Sequence, residues 1–244
     1  MSVLRSYGFL VAWQALRLKT FLPLAIIVQA LFAFGIVVGY PLLFPALDQT
    51  TVLYLATGAP AIALITMGLV AVPQIVAQAK TEGSLDYMRT LPVPRLLYLL
   101  ADMTVWLLIV LPGVAFAVIV GMWRFGLDLQ VSLLVVPATL LVVLTTTSVG
   151  YALATVLPQT LANLLTQVLV VFILMFSPLN FPPERLPDWL ATIHSVLPIQ
   201  AMGEVIRGTL AGNVFPLAVG PFLLLGAWCV ASFAITGRVM TRRG

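Results

Sequence analysis

Apolar residues run through the chain in six blocks, each long enough to cross a bilayer as a helix. A helix rises about 1.5 Å per residue, so a hydrocarbon core of about 30 Å takes about 20 residues. Residues 20–47 and 49–79 carry no charge and are separated only by Asp48, which with Pro45 marks a turn. Residues 103–123 make a third block. The uncharged stretch 129–183 is too long for one crossing and must fold back on itself, and Leu157, Pro158 and Gln159 supply the break. A sixth block lies within 208–237. The expectation is one all-α transmembrane domain over 1–244, with spans at about 21–44, 50–79, 97–123, 131–157, 161–180 and 214–237.

Three segments outside these blocks carry their own patterns. In residues 2–19, Leu4, Tyr7, Val11, Ala15 and Leu18 recur at helical spacing with Arg5, Arg17 and Lys19 off the stripe, which predicts an interfacial helix. Phe9, Trp13 and Leu16 face elsewhere, so the helix has a second apolar side for lipid or a protein partner. The loop 80–96 has mixed charge around Leu85 and Met88. Residues 84–90 are expected to form a short helix capped by Ser84 after flexible Gly83 and ended by Pro92. In 177–213, prolines at 178, 182 and 183 forbid a regular helix. Beyond them Trp189, Ile193 and Val196, then Met202, Val205, Ile206 and Leu210, predict two short helices on or dipping into the outer leaflet. Glu204 and Arg207, three apart, are expected to pair at the interface.

Composition agrees with a lipid-solvated surface: 61% of the 244 residues are hydrophobic and 8% are charged, against roughly 25% charged in soluble domains. Lys and Arg choose the orientation. Nine fall on one side, in the N-terminal stretch, the 80–96 loop and the C-terminus, and only Arg124, Arg185 and Arg207 fall on the other. Both termini are therefore expected in the cytoplasm, and the basic balance reflects topology, with no nucleic-acid partner implied. The first apolar run is too long for a signal-peptide core, so no cleaved leader is expected.

The inventory also narrows the chemistry. The spans are nearly free of ionisable groups, which intramembrane enzymes and ion-coupled carriers keep for function. Asp102 is the one acid near a span, expected as an interfacial carboxylate at the start of the third. His194 has no cysteine or acid at metal-ligand spacing, so neither a metal site nor a histidine-based triad is expected. Cys229 is the single cysteine and is read as an inert thiol. Neither lysine follows the glycine of a phosphate-cradling loop, so no catalytic residue or cofactor is assigned to this chain.

The fifth span offers a pathway face. Asn163, Thr166, Gln167, Val170, Ile173, Leu174 and Ser177 share one side of a helix and mix polar with apolar groups, as an amphiphile-conducting surface requires. Helix packing is the competing reading of those polar groups, as it is for Thr57, Thr66, Gln74 and Gln78 in the second span. Phe176, Leu179 and Phe181 at the outer end suit an apolar gate.

Taken together, the six spans, the Glu82-Gly83-Ser84-Leu85-Asp86 loop with Thr90-Leu91-Pro92-Val93, and the run Ser177-Pro178, Leu186-Pro187-Asp188-Trp189-Leu190, Leu197-Pro198 and Arg207 resemble the membrane subunit of ABC-2 type ATP-binding-cassette exporters. The loop is similar to that family's Glu-x-Gly-Thr-Leu-Glu and Thr-x-Pro pattern. It departs from the pattern in having Thr81 two places before the glycine and Glu82 directly beside it. The resemblance implies a six-span permease in a bacterial plasma membrane, paired as a homodimer. It implies two cytoplasmic nucleotide-binding subunits, which would bind ATP and Mg and press on Glu82, Gly83, Ser84, Asp86 and Arg89. The expected cargo is a hydrophobic or amphiphilic drug, peptide or lipid. A lipid-linked polysaccharide exporter is the alternative within the family, and a non-ATP secondary transporter or a membrane scaffold the alternatives outside it.

Overall fold

Proline placement explains four of the chain's breaks in the computed structural model, which describes residues 3–43, 48–83 and 94–242. A residue before proline is pushed out of the helical region into extended geometry. Leu157, Ser177, Leu186 and Leu197 each precede a proline, and each is extended, with ψ of 149°, 139°, 149° and 145°. These four residues end four successive helical segments.

Between the breaks the described residues are helical, with no strand. Helix α1 is Val3–Leu18. The first span joins α2 (Leu22–Phe34), a π turn at Gly35–Gly39 and α3 (Tyr40–Leu43). The second joins α4 (Gln49–Thr66), a π turn at Met67–Ala71 and α5 (Val72–Thr81). The third is α6 (Arg95–Phe125), closed by Gly126 at φ 61°, a left-handed cap that glycine adopts without strain. The fourth is α7 (Val135–Val156) and the fifth is α8 (Gln159–Phe176). After a short turn at Pro183–Arg185 come α9 (Asp188–Val196) and α10 (Pro198–Leu210), and then the sixth span α11 (Val219–Arg242). Six stretches in these helices are long and apolar enough to cross a membrane. We call the end holding α1 and the close of α11 proximal, and the end holding α9 and α10 distal.

Three boundaries differ from the sequence expectation. The fourth span starts at Val135 and not near 131, because Ser132 is held outside it: its N–H donates to Thr209 O at 2.9 Å and its Oγ accepts from Leu134 N. The fifth ends at Phe176 and not 180, since Ser177 is extended ahead of Pro178. The sixth begins at Val219 and not near 214.

The second span is the bundle's centre, with 89% of its spanning window buried against 28% for the first, 17% for the fifth and 22% for the sixth. Its neighbours approach closely at glycine. A Cβ on Gly68 would collide with Thr146 of α7, and one on Gly150 would meet Gly68 O. The π turn of the second span therefore lies backbone to backbone against the fourth. Pro73, just after that turn, has no N–H to donate, so the extra residue of the turn falls where the helical ladder is already broken.

Helix α1 buries Leu10, Gln14 and Leu18, with Tyr7 and Val11 half-buried, against the third span. The expected inward stripe is thus rotated: Leu4 and Ala15 are exposed. Both sides of this helix are apolar, and specific contacts choose between them. The Tyr7 hydroxyl meets Thr104 Oγ1 at 2.5 Å. Phe9, Trp13 and Leu16 stay exposed on the outer side.

At the distal end the stripe Trp189, Ile193 and Val196 of α9 is exposed, while Met202, Val205, Ile206 and Leu210 of α10 are buried. Helix α10 sinks against the second, fourth and sixth spans. Helix α9 stays at the surface, pinned where Trp228 Nε1 donates to Val196 O at 3.0 Å.

Candidate coupling and translocation sites

The proximal end of the second span carries the first part of the predicted coupling loop. Glu82 caps α5, its carboxylate accepting from Gln78 Nε2 at 2.6 Å, and Gly83 turns away at φ 73°. Ser84, Asp86 and Arg89, and with them the expected short helix, lie outside the described residues. One turn before the loop, Lys80 Nζ donates to Thr155 O and Leu157 O, both at 3.3 Å. These are among the carbonyls that a helix C-terminus leaves without an intrahelical donor, and a cation suits the negative end of the dipole. Lys80 thereby ties the segment entering the loop to the turn between the fourth and fifth spans.

Beside this tie lies a buried polar knot. Asp102 is not the interfacial carboxylate expected from its position. The third helix starts at Arg95, so Asp102 is two turns inside it and is 5% exposed. Its Oδ2 accepts from Trp106 Nε1 at 3.0 Å and from the hydroxyl of Tyr151 in the fourth span. Gln14 of α1 is fully buried, and neither its amide nitrogen nor its amide oxygen has a hydrogen-bond partner among the described residues. Gln14, Arg17, Tyr98, Asp102 and Tyr151 all line one cavity of about 10 Å³, close to the volume that admits one water. The i, i+4 spacing of Asp102 and Trp106 was a visible signal for part of this knot. Tyr151 and Gln14 carried none.

The predicted translocation face on the fifth span divides between two environments. Thr166, Ile173 and Ser177 are buried; Val170 and Leu174 are half-buried; Asn163 and Gln167 are exposed. Thr166 is a tie between spans, its hydroxyl accepting from Gln74 Nε2 at 2.8 Å and donating to Asn163 O at 2.8 Å. In the second span Thr66 bonds back to its own helix at Ile62 O. The three residues expected to gate are likewise split. Phe176 is 48% exposed and tilted against Phe172 at 5.9 Å between centroids, and Phe181 is half-buried. Leu179 is wholly buried, with its side chain over Gly203 of α10 and its carbonyl over Gly58 of α4.

Arg207 also departs from its expected place. Its guanidinium turns inward, away from Glu204, and donates to Leu179 O at 2.8 Å and Thr57 Oγ1 at 3.3 Å. It lies 3.8 Å from the Tyr54 ring centroid and 5.4 Å from that of Phe215. Burial lowers its pKa to about 10, which leaves it a cation at neutral pH. Glu204 accepts from Gln200 Nε2 at 2.8 Å. Arg207 thus holds the non-helical segment after the fifth span against the second. Nearby, His194 is fully buried and stacks on Phe172 at 5.3 Å and 20°, and neither ring nitrogen has a hydrogen-bond partner among the described residues. Burial pushes its pKa below the ordinary histidine value.

No curated protein matches the sequence. The family model described as ABC-2 type transporter matches residues 3–211, from α1 through α10. The match takes in the 80–96 loop, the Lys80 tie, the Asp102 knot and the Arg207 clasp, and the chain belongs to the ABC-2 type transporter family as its membrane-spanning permease.

Proposed function

We propose that the chain is the permease of an ATP-driven exporter for a hydrophobic or amphiphilic compound, working as a homodimer with two cytoplasmic nucleotide-binding subunits. The observation that carries the reading is the fifth span: only 17% of its spanning window is buried, and it presents Asn163 and Gln167 beside half-buried Val170 and Leu174. A largely exposed apolar helix with polar side chains on the open side suits a seam between two copies, where an amphiphile would pass. Lys and Arg are concentrated at the proximal end, which supports placing both termini in the cytoplasm of a bacterial cell.

The chain's own residues supply the mechanical link. Pressure from a closing ATPase on Glu82 and the residues after Gly83 would reach the second span directly, and the turn between the fourth and fifth through Lys80. The same partner would meet the exposed Phe9, Trp13 and Leu16 of α1, whose inner side rests on the third span near the Asp102 knot. The routes through the second span and through α1 lead to packed helices, so a push is transmitted as a rigid displacement.

The test is purification of the tagged chain in mild detergent from its host, followed by vanadate-sensitive ATPase measurement and transport in vesicles. A co-purifying nucleotide-binding subunit with activity is expected. In that complex, Glu82→Gln or Asp86→Asn should lower transport per ATP hydrolysed without loss of folding. Asn163→Leu with Gln167→Leu, and separately Leu174→Ala or Phe176→Ala, should change the range of amphiphiles carried. A chain that emerges intact, alone and inactive would overturn the reading.

A further inference from the structure

The distal end holds a cavity of about 380 Å³ between the start of the second span, α10 and the start of the sixth. Small-ligand sites fall between about 300 and 1,000 Å³. Arg207 lines it and is 3% exposed, and the protein acceptors it reaches, Thr57 and Leu179 O, are both neutral. Buried charges are ordinarily compensated by an opposite charge. The two carboxylates of the same wall, Glu184 and Glu204, make no ion pair with it among the described residues. Glu204 takes the Gln200 amide nitrogen instead. The cavity thus offers one deep cation and two carboxylates.

This balance selects a ligand. A simple anion would meet Arg207 but also two carboxylates, and a simple cation would meet the carboxylates but also the guanidinium. A molecule bearing both charges satisfies both sets. The rim leads onto apolar surface: Phe222 lines the cavity, and Val219, Leu223 and Val230 of the sixth span are exposed beyond it. A head group seated in the cavity could extend an acyl chain along that helix. We propose that the distal cavity binds a zwitterionic head group, with its phosphate or carboxylate on Arg207 and its ammonium held by Glu184 and Glu204.

The site stands on the cavity alone and depends neither on the direction of transport nor on an ATPase, so its failure would leave the exporter reading untouched. The test is native mass spectrometry of the full chain in maltoside detergent with dioctanoyl phosphatidylethanolamine or dioctanoyl phosphatidylglycerol added at equal concentration. The wild type should retain the zwitterion about tenfold better than the anionic lipid, as expected for charge-assisted bonds to its ammonium. Glu184→Gln with Glu204→Gln should remove that preference, and Ala218→Trp, which fills the cavity from its wall, should lose both lipids. Displacement of the bound lipid by free phosphoethanolamine would assign the site to soluble zwitterions, and persistence against it to a membrane lipid. Equal retention of the two lipids by the wild type, or an unchanged preference in the double variant, would overturn the proposal.

Discussion

Replacing Tyr151 by Phe removes one oxygen from the proximal knot and leaves the packing volume almost unchanged. That oxygen and Trp106 Nε1 both donate to Oδ2 of Asp102, so the variant leaves a buried acid with one donor in place of two. A hydrogen bond to a charged acceptor contributes about 1.5–3 kcal/mol, and one to a neutral acceptor about 0.5–1.5 kcal/mol. Hydrogen bonds between membrane helices average about 0.6 kcal/mol and reach about 1.7 kcal/mol. A loss in the upper range is expected here, because the group left behind is a carboxyl with little access to water. At about 2–4 °C per kcal/mol for a chain of this size, the variant should melt about 3–12 °C below wild type in the same detergent. Asp102→Asn keeps an oxygen where both donors converge, so it should cost less than Asp102→Ala. In the Asp102→Asn background, Tyr151→Phe should cost only about 0.5–1.5 kcal/mol, the value for a neutral acceptor. Thermal denaturation of the four variants, followed by monodispersity, reads the cycle. A Tyr151→Phe protein melting with wild type would refute the tie from Tyr151 to Asp102, and an equal loss in both backgrounds would show that Tyr151 donates to a neutral acceptor.

Three further outcomes are expected. Lys80→Met should lower stability by about 1 kcal/mol, the loss of its bonds to Thr155 O and Leu157 O, and should reduce transport per ATP hydrolysed more than ATP hydrolysis itself. Gly58→Ala drives a methyl onto Leu179 O and the Asn180 side chain, so it should cost about 1–3 kcal/mol as an overpacked site. The measurement is its melting temperature beside that of Gly8→Ala, whose added Cβ meets nothing. His194 should make stability fall in mild acid. Its folded pKa lies below the unfolded value of about 6.5, so the unfolded chain takes up protons first. Stability is therefore at its plateau above that pH and declines as the pH drops from there toward the lower folded value. His194→Phe, which preserves the stack on Phe172, should flatten a melting profile taken between neutral and acidic pH.

Transmembrane character was legible because it needs only composition and run length: lipid imposes long apolar helices, and prolines at 158, 178, 187 and 198 fix where they break. The order of elements and the number of spans follow from those two local rules. What the pattern left open was direction around each helix. Helix α1 is apolar on two sides, and the choice of Leu10, Gln14 and Leu18 as its buried side rests on contacts with the third span, which begins more than seventy residues away. Polar groups in the spans had the same ambiguity, since a threonine or glutamine reads alike whether it lines a pathway or joins helices. The fold made Thr166 a joint to Gln74 and left Asn163 and Gln167 open.

Charges were the least legible part. Glu204 and Arg207 sit at the spacing of a helical pair, yet Arg207 turns inward to Tyr54, Thr57 and Leu179 O, because rings and a freed carbonyl from distant segments surround it there. Asp102 lies near a span boundary in sequence, but the third helix begins early enough to carry it into the interior, where Tyr151 meets it. Local sequence therefore determined the helices and their breaks, which depend on each residue and its near neighbours. The tertiary structure decided which side chains became ties, knots and cavity walls, because those roles depend on partners brought together only when the spans pack.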